Sequence, residues 1–139
     1  MGYAIAEKCY ECGAEVIIVS GPVHLKPKYS GIKIVSVTTA DQMFEACQDI
    51  FPKTNIVILT AAVADFSPNF TYNKKVKQKK DHMHIDLKPT RDIAAYLGKH
   101  KSEKQFIVGF ALETDNEIQN ARDKLRRKNL DLIVLNSLK

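Results

Sequence analysis

A single carboxylate and several lysines lie close together in the stretch "TAAVADFSPNFTYNKKVKQKK", residues 60–80. Asp65 follows an apolar segment that ends in small side chains, and five lysines lie between residues 74 and 80, here called the lysine cluster. Small side chains let a flat ligand approach the backbone, and lysines supply the positive charge that an anionic ligand requires. The pattern suggests an anion site with Asp65 at its edge, although Asp65 also suits an ordinary turn after a strand.

Two further segments carry residue types that suit such a ligand. The segment "PTRDIA" (89–94) is typical of a helix start, whose unpaired N–H groups and positive dipole end suit a phosphate. In "GFALET" (109–114), Gly109 permits a close backbone approach and Phe110 could stack on a base. Both segments also have a simpler interpretation, because the same residues would cap any helix and phenylalanine commonly packs in a core.

Lys124 and Lys128 lie one turn apart on a predicted helix, along the edge of an apolar stripe. Ile118, Ala121 and Leu125 form that stripe. From its edge the two ammonium groups could reach a ligand above a sheet, and a solvated helix face is the alternative.

The elements that must position these residues alternate between helix and strand. Apolar runs predict strands at 15–20, 32–39, 55–61, 105–113 and 131–136. Helical patterns fall at 2–12, 40–50, 90–98 and 114–128; Thr39 and Thr114 open capping boxes, and Thr90 caps the short helix. Residues 74–88 alternate on either side of Asp81 and His82, which predicts a polar, exposed β-hairpin flap.

This order predicts an α/β fold, with a Rossmann-like, doubly wound and mostly parallel sheet from which the flap protrudes. Ligands of such sheets bind outside the carboxyl ends of the strands, so the four candidate segments would meet at one edge. Folds of this kind usually begin with a strand and a glycine-rich turn, whereas this sequence begins with a helix. We therefore expect residues 1–139 to be one domain without its N-terminal strand and loop.

The composition indicates a soluble, single-domain protein. The 139 residues are 45% hydrophobic and carry a net charge of +5, much of it in the lysine cluster. Three cysteines suggest a reducing compartment, and Cys9 and Cys12 fall on the apolar stripe of the first helix, where we expect them to be buried. The sequence has neither a run of 18 apolar residues nor the features of a signal peptide, so we predict a cytoplasmic protein without a membrane partner.

Two other functions fit parts of the pattern. An NAD(P)-dependent oxidoreductase on a Rossmann fold would need a G-x-G-x-x-G turn and an acid after the next strand. The sequence lacks that glycine pattern. Its first strand ends in Ser20 and Gly21, so no acid stands at the position that would bind the ribose. A nucleic-acid-binding module could use the lysine cluster, but aromatic residues are not interleaved with it.

Seven ordered motifs match a known family: "MGYAIAE", "GAEVIIVSGPV", "AAVADF.P", "KVKQKK", "T.DIAAYLG", "VGFALET" and "A.DKL..KNLDLIVLNSL". Together they closely resemble phosphopantothenoylcysteine synthetase, the bacterial CTP-dependent phosphopantothenate–cysteine ligase of coenzyme A biosynthesis. The resemblance covers the chain from end to end. In many bacteria this synthetase is the C-terminal domain of a bifunctional protein whose N-terminal half is a flavin-dependent decarboxylase.

The resemblance implies a two-step reaction. The carboxylate of 4'-phosphopantothenate attacks the α-phosphorus of CTP to give an acyl-cytidylate and pyrophosphate, and the amine of L-cysteine then displaces CMP. It also implies Mg²⁺, a homodimer, and FMN only in a fused decarboxylase domain. Neither a nucleic acid nor a membrane is expected as a partner.

The resemblance assigns roles to individual positions. Asp65 matches an acid that contacts the nucleotide and its metal ion, and Lys75 matches the catalytic lysine of the flexible flap. The other nucleotide contacts are Leu59, Thr60, Ala61, Arg91, Asp92, Ile93, Ala94, Phe110, Lys124 and Lys128. The family commonly has proline where this chain has Arg91. The family's glycine- and serine-rich loop, with an asparagine that handles the acyl intermediate, would lie before residue 1.

Overall fold

The structure is a computed structural model that describes residues 1–70, 72, 74–75 and 84–137. Its helices are α1 (Gly2–Glu11), α2 (Ala40–Ile50), α3 (Ile93–His100) and α4 (Glu117–Arg127), and a short 3₁₀ helix (Phe51–Lys53) follows α2. Its strands are β1 (Ile17–Ser20), β2 (Lys33–Ser36), β3 (Ile56–Leu59), β4 (Phe66–Pro68), β5 (Leu87–Pro89), β6 (Phe106–Glu113) and β7 (Leu132–Ser137). The predicted α/β class is confirmed.

The parallel strands form two hydrogen-bonded groups. β1 pairs with β2, and β6 lies between β3 and β7. In the larger group Ile56 is opposite Phe106, and Val108 is opposite Leu132. The strands are mostly parallel as predicted, but the described residues do not join them into one continuous sheet.

The core lies where α2 and α3 pack against one face of the larger group. Ile107, in the middle strand, is fully buried, and Leu97 of α3 is 1% exposed. Phe44 of α2 and Leu130 complete the buried cluster with Phe51 and Ile93. Burial of each such side chain is worth about 1.5–3 kcal/mol, so this cluster fixes the position of α3 relative to β6.

One of the three predicted helix caps is correct. Thr39 and Gln42 form the reciprocal capping box at the start of α2. Thr90 does not cap α3, because its hydroxyl donates to the Ala64 carbonyl oxygen at 2.6 Å, and Asp92 is the cap instead. Thr114 does not cap α4 either, because that helix begins after Asn116, which has a left-handed backbone (φ 45°) and no side-chain cap bond.

The flap begins earlier in the chain than predicted. β4 pairs with β5 in antiparallel register, Phe66 opposite Pro89, so the stem of the flap starts before residue 74. The predicted turn at Asp81 and His82 lies outside the described residues.

The first helix ends as expected, with Gly13 in a left-handed conformation (φ 90°) just after it. The prediction that both Cys9 and Cys12 are buried was wrong, because Cys12 is exposed and Cys9 is only half-buried. Among the described residues, no helix is both long and apolar enough to span a membrane.

Candidate active site

A cavity of about 470 Å³ lies between α4, the end of β6 and the loop that follows β3. Its lining is almost entirely polar and charged. The lining residues are Asp65, Glu113, Asn120, Asp123, Lys124, Arg127 and Lys128.

One face of α4 forms most of this lining. Successive cavity residues from Asn120 to Lys128 are one or three positions apart, which places them on one side of a helix with 3.6 residues per turn. Ala121 is buried and Leu125 packs against the core cluster, so they anchor the opposite side of the helix. The amphipathic pattern of α4 therefore turns its charged face towards the cavity.

The two predicted lysines are both held in place within this wall. The ammonium group of Lys124 donates to the Phe110 carbonyl oxygen at 3.1 Å. The Lys128 ammonium lies 3.0 Å from one carboxylate oxygen of Asp92, and the Lys128 side chain is 18% exposed. Contacts within the protein therefore hold both ammonium groups at the cavity in the absence of a ligand.

Asp92 connects α3 to the cavity. Its carboxylate accepts a hydrogen bond from the Ala95 backbone N–H at 3.0 Å and also binds Lys128. Burial acts to raise the pKa of this carboxyl, but the bonds from Ala95 and Lys128 outweigh it and hold the pKa below its ordinary value. The positive end of α3 therefore already has a carboxylate as its partner.

The loop after β3 is tied to the same region. Thr90 binds it through two hydrogen bonds: its hydroxyl donates to the Ala64 carbonyl and its N–H donates to the Asp65 carbonyl at 2.9 Å. The Asp65 side chain is exposed at the cavity, and its carboxylate has no hydrogen-bond or ion-pair partner among the described residues. Asp65 is therefore free to bind a ligand or a cation.

Comparisons with known proteins identify the family to which this arrangement belongs. A family model described as the DNA/pantothenate metabolism flavoprotein C-terminal domain matches residues 1–139. The chain belongs to this family. The coenzyme A biosynthesis bifunctional protein CoaBC of Bacillus subtilis is 45% identical over the whole chain, which covers 34% of that relative.

One further curated protein and one solved structure are similar to this chain. A cysteine/cysteine sulfinic acid decarboxylase from an unknown prokaryotic organism is 54% identical over the whole chain and 39% of its own length. The crystal structure of the C-terminal domain of CoaBC has a TM-score of 0.83 and 42% identity, and the match covers 96% of this chain and 61% of that one. The chain therefore spans little more than a third of the length of these curated relatives. The solved domain confirms the Rossmann-like fold.

Of the residues that the family resemblance selects, Asp65, Lys124 and Lys128 line one cavity. Asp92 is bonded to Lys128, and Phe110 is bonded to Lys124 through its carbonyl. The predicted meeting of Asp65 with the α4 lysines is thus found in the structure. Their role in binding a nucleotide stays a prediction.

Five other predicted residues are not among those that line the cavity. Leu59 packs against the core cluster and Ile93 is buried within it. Thr60 lies beside the start of α1, since a Cβ on Gly2 would be 2.6 Å from its hydroxyl oxygen. Ala61 is exposed and Ala94 is half-buried.

The predicted use of Gly109 for a close ligand approach was wrong. Gly109 is buried on the core face of β6, and a Cβ there would lie 2.6 Å from the side chain of Leu130. The missing side chain makes room for Leu130. Phe110, the next residue, faces the other side of the sheet and is half-buried.

Lys75 is exposed. Of the other lysines of the cluster, Lys74 is also exposed, and those at positions 77–80 lie outside the described residues. The catalytic role of Lys75 therefore stays a prediction.

The sequence reasoning missed four residues of the cavity: Glu113, Asn120, Asp123 and Arg127. Arg127 lies three positions after Lys124, so helical spacing alone could have placed it on the same face. Its guanidinium has no hydrogen-bond or ion-pair partner among the described residues, and its charge helps to lower the pKa of Asp92. Glu113 accepts a hydrogen bond from the Asn120 amide at 3.3 Å, a contact between strand and helix that no local pattern indicates.

Within the part of the chain that the structure describes, no group of three or more histidine, cysteine or acidic side chains is arranged to bind a metal ion. A cation at Asp65 would therefore need further ligands from a bound substrate. Phosphate oxygens suit this role for Mg²⁺, which is often bound by one or two carboxylates together with substrate phosphates. The free carboxylate of Asp65 fits that mode of binding.

Proposed function

We propose that the chain forms the nucleotide-binding domain of a phosphopantothenate–cysteine ligase. In this proposal the enzyme joins 4'-phosphopantothenate to L-cysteine with CTP, in the cytoplasm. The observation that carries it is the single cavity shared by Asp65, Lys124, Arg127 and Lys128. Family membership and the similarity to CoaBC support a place in coenzyme A biosynthesis.

The charges of this cavity suit the chemistry. In the first step a carboxylate oxygen bonds to the α-phosphorus of CTP and pyrophosphate leaves. In the second step the cysteine amine attacks the acyl carbon, CMP leaves with that oxygen, and the amine loses a proton. Phosphoryl-type transfer depends mainly on positioning and charge neutralisation, which fixed cations provide.

The balance of charge explains why a divalent cation would be needed. The acidic residues Asp65, Glu113 and Asp123 equal in number the basic residues of the lining, Lys124, Arg127 and Lys128. A triphosphate carries several negative charges that a neutral cavity cannot offset. Bound Mg²⁺ would neutralise phosphate charge and join the nucleotide to Asp65.

The proposed roles follow from position. Arg127, Lys124 and Lys128 would donate to the phosphates, which makes Arg127 an addition to the set expected from the family resemblance. The backbone from Leu59 to Ala61 and the ring of Phe110 would contact the nucleoside. Lys75 would close over the acyl-cytidylate from the flap, and residues 91–94 would border the nucleotide.

The name of one relative raises a second candidate. The 54% identical protein is called a cysteine/cysteine sulfinic acid decarboxylase, but the chain covers 39% of it. A decarboxylase would release CO₂ from cysteine without a nucleotide, whereas the ligase would consume CTP. Assays of CO₂ release and of pyrophosphate release on the same preparation distinguish the two activities.

The flap stem supports a proposed homodimer. Phe66 and Leu87 lie on one face of the paired strands. Alternation places Phe70 and Ile85, just beyond the strands, on the same face, and each of the four is more than half exposed. Such an apolar face needs a covering surface. We propose that a second copy of the chain supplies it, as the family resemblance implies.

Sedimentation of wild type and of Phe70→Glu tests this assembly. We expect the charged variant to dissociate the dimer, while Asn69→Glu, one residue earlier and on the polar face, leaves it intact. A wild-type protein that sediments as a monomer at high concentration would contradict the proposal.

A thermal-shift panel tests the proposed function. Selective binding to the native state raises the melting temperature. We expect CTP with Mg²⁺ to raise it more than ATP, UTP or NAD, and Asp65→Asn to reduce the Mg²⁺-dependent part of the shift. A panel in which NAD stabilises best would reject the ligase in favour of an oxidoreductase.

A further inference from the structure

The side chain of Arg91 is bound to α2. Its Nε lies 3.1 Å from an Asp41 carboxylate oxygen, and Nη2 lies 3.2 Å from both the Asp41 backbone carbonyl and a Glu45 carboxylate oxygen. The guanidinium carbon also lies 4.0 Å from the centre of the Phe44 ring. Four contacts thus join one side chain to a single turn at the start of α2.

These contacts make Arg91 a poor phosphate ligand. Two carboxylates face one guanidinium, so the immediate surroundings carry a net negative charge and disfavour an anion. The guanidinium also lies against the ring of Phe44, which is only 7% exposed and belongs to the core. A phosphate bound to Arg91 would lie close to both carboxylates, which would repel it.

The neighbours of Arg91 reach the candidate site instead. Thr90 is bonded to Ala64 and Asp65 in the loop after β3, while Asp92 is bonded to Lys128 in the cavity wall. The three consecutive residues 90–92 therefore bind the loop, α2 and α4 in turn. Arg91 is the member of this set that fixes the segment to the core.

We propose that Arg91 is a positioning residue, which holds Asp92 and hence Lys128 in the orientation that binds the nucleotide. This inference rests on the proposed function. Arg91 acts by fixing the backbone of residue 92, whose carboxylate takes up part of the hydrogen-bonding capacity of Lys128. The remaining N–H groups of Lys128 then point to the cavity with little freedom, which lowers the entropy lost on binding.

The exposure of the contacts indicates how the effect should be detected. The side chains of Arg91, Asp41 and Glu45 are 43%, 58% and 64% exposed, so their ion pairs contribute little to global stability. Loss of Arg91 should therefore change nucleotide binding while the melting temperature is almost unchanged.

The test compares Arg91→Ala with the double variant Asp41→Asn/Glu45→Gln. None of these three residues lines the cavity. In steady-state assays of the full-length gene product, we expect both to raise KM for CTP by a similar factor, roughly 3- to 30-fold. kcat should stay within about twofold, and Arg91→Lys should recover only part of the loss because lysine cannot reproduce the planar fork.

The double variant separates this role from direct binding. If Arg91 contacted the nucleotide, removing the two acids would release its guanidinium, and KM for CTP would be unchanged or lower. That result, or an unchanged KM in Arg91→Ala, would overturn the proposal.

An NMR titration of the Asp92 carboxyl provides a readout that needs no nucleotide. We expect Arg91→Ala and the double variant to move its pKa upward, towards the ordinary carboxyl value, as the contacts with Ala95 and Lys128 loosen. An unchanged titration would overturn the positioning role. Should the wild type bind no CTP, the proposed function would fail, and this titration would still decide whether Arg91 positions Asp92.

Discussion

Replacement of Lys124 by methionine probes the charge of the cavity wall most selectively. Methionine keeps an unbranched apolar side chain, but it loses the ammonium group and with it the hydrogen bond to β6. In the structure that group lies 3.1 Å from the Phe110 carbonyl and faces the cavity. A hydrogen bond to a charged group is worth about 1.5–3 kcal/mol.

Removing such a bond to a phosphate should weaken CTP binding by roughly 10- to 150-fold, since about 1.4 kcal/mol corresponds to a factor of ten. The substitution also removes the hydrogen bond to the Phe110 carbonyl, so we expect the unfolding free energy to fall by about 1–3 kcal/mol. Isothermal titration calorimetry with CTP and Mg²⁺ measures the first quantity, and chemical denaturation measures the second.

Arg122→Met is the matched control, because Arg122 lies exposed on the same helix and does not line the cavity. It removes the same formal charge and should leave the Kd for CTP within about twofold. Equal Kd values for wild type and Lys124→Met, or equal losses in both variants, would refute the assignment of Lys124 to the nucleotide.

Three other predictions concern the flap, the packing of α3 and the response to acid. Lys75→Gln should retain most of the affinity for CTP but lose turnover by roughly 10²- to 10³-fold; equal rates of pyrophosphate release and amide formation in variant and wild type would contradict this. Gly98→Ala should destabilise the fold by about 1–3 kcal/mol, because its Cβ would collide with the Lys128 carbonyl oxygen; an unchanged denaturation midpoint would refute that close contact. The hydrogen bond from Lys101 lowers the pKa of Asp131 despite partial burial, so this pair stabilises the fold above about pH 4 and the stabilisation is lost as the pH falls further. Asp131→Asn should therefore make the free energy of unfolding less dependent on pH in that acid range. An identical pH dependence in variant and wild type would count against the pair.

Local patterns in the sequence predicted the elements well where the signal depends on near neighbours. The capping box of Thr39 and Gln42 involves residues three positions apart, and it appears in the structure as expected. The predicted caps at Thr90 and Thr114 failed for two different reasons. Thr90 is bonded to Ala64, 26 residues away, and α4 begins two residues later than a Thr114 capping box requires.

In the candidate site, too, residues related by local spacing were predicted, whereas residues brought together only by folding were missed. Lys124 and Lys128 were predicted because their helical spacing is visible in the sequence, and Arg127 could have been found in the same way. Glu113 enters the cavity through the pairing of β6 with its neighbours and its contact with Asn120, which only the folded chain brings together. Gly109 was misassigned because the residue that fills its space, Leu130, lies 21 positions later in the chain.

The fate of a labelled oxygen tests the central claim most directly. 4'-Phosphopantothenate with both carboxylate oxygens replaced by ¹⁸O would be incubated with CTP, Mg²⁺, L-cysteine and the full-length gene product, and the products analysed by mass spectrometry. An acyl-cytidylate requires one ¹⁸O in CMP, one in the new amide and none in pyrophosphate. Unlabelled CMP, or label in inorganic phosphate, would contradict the account.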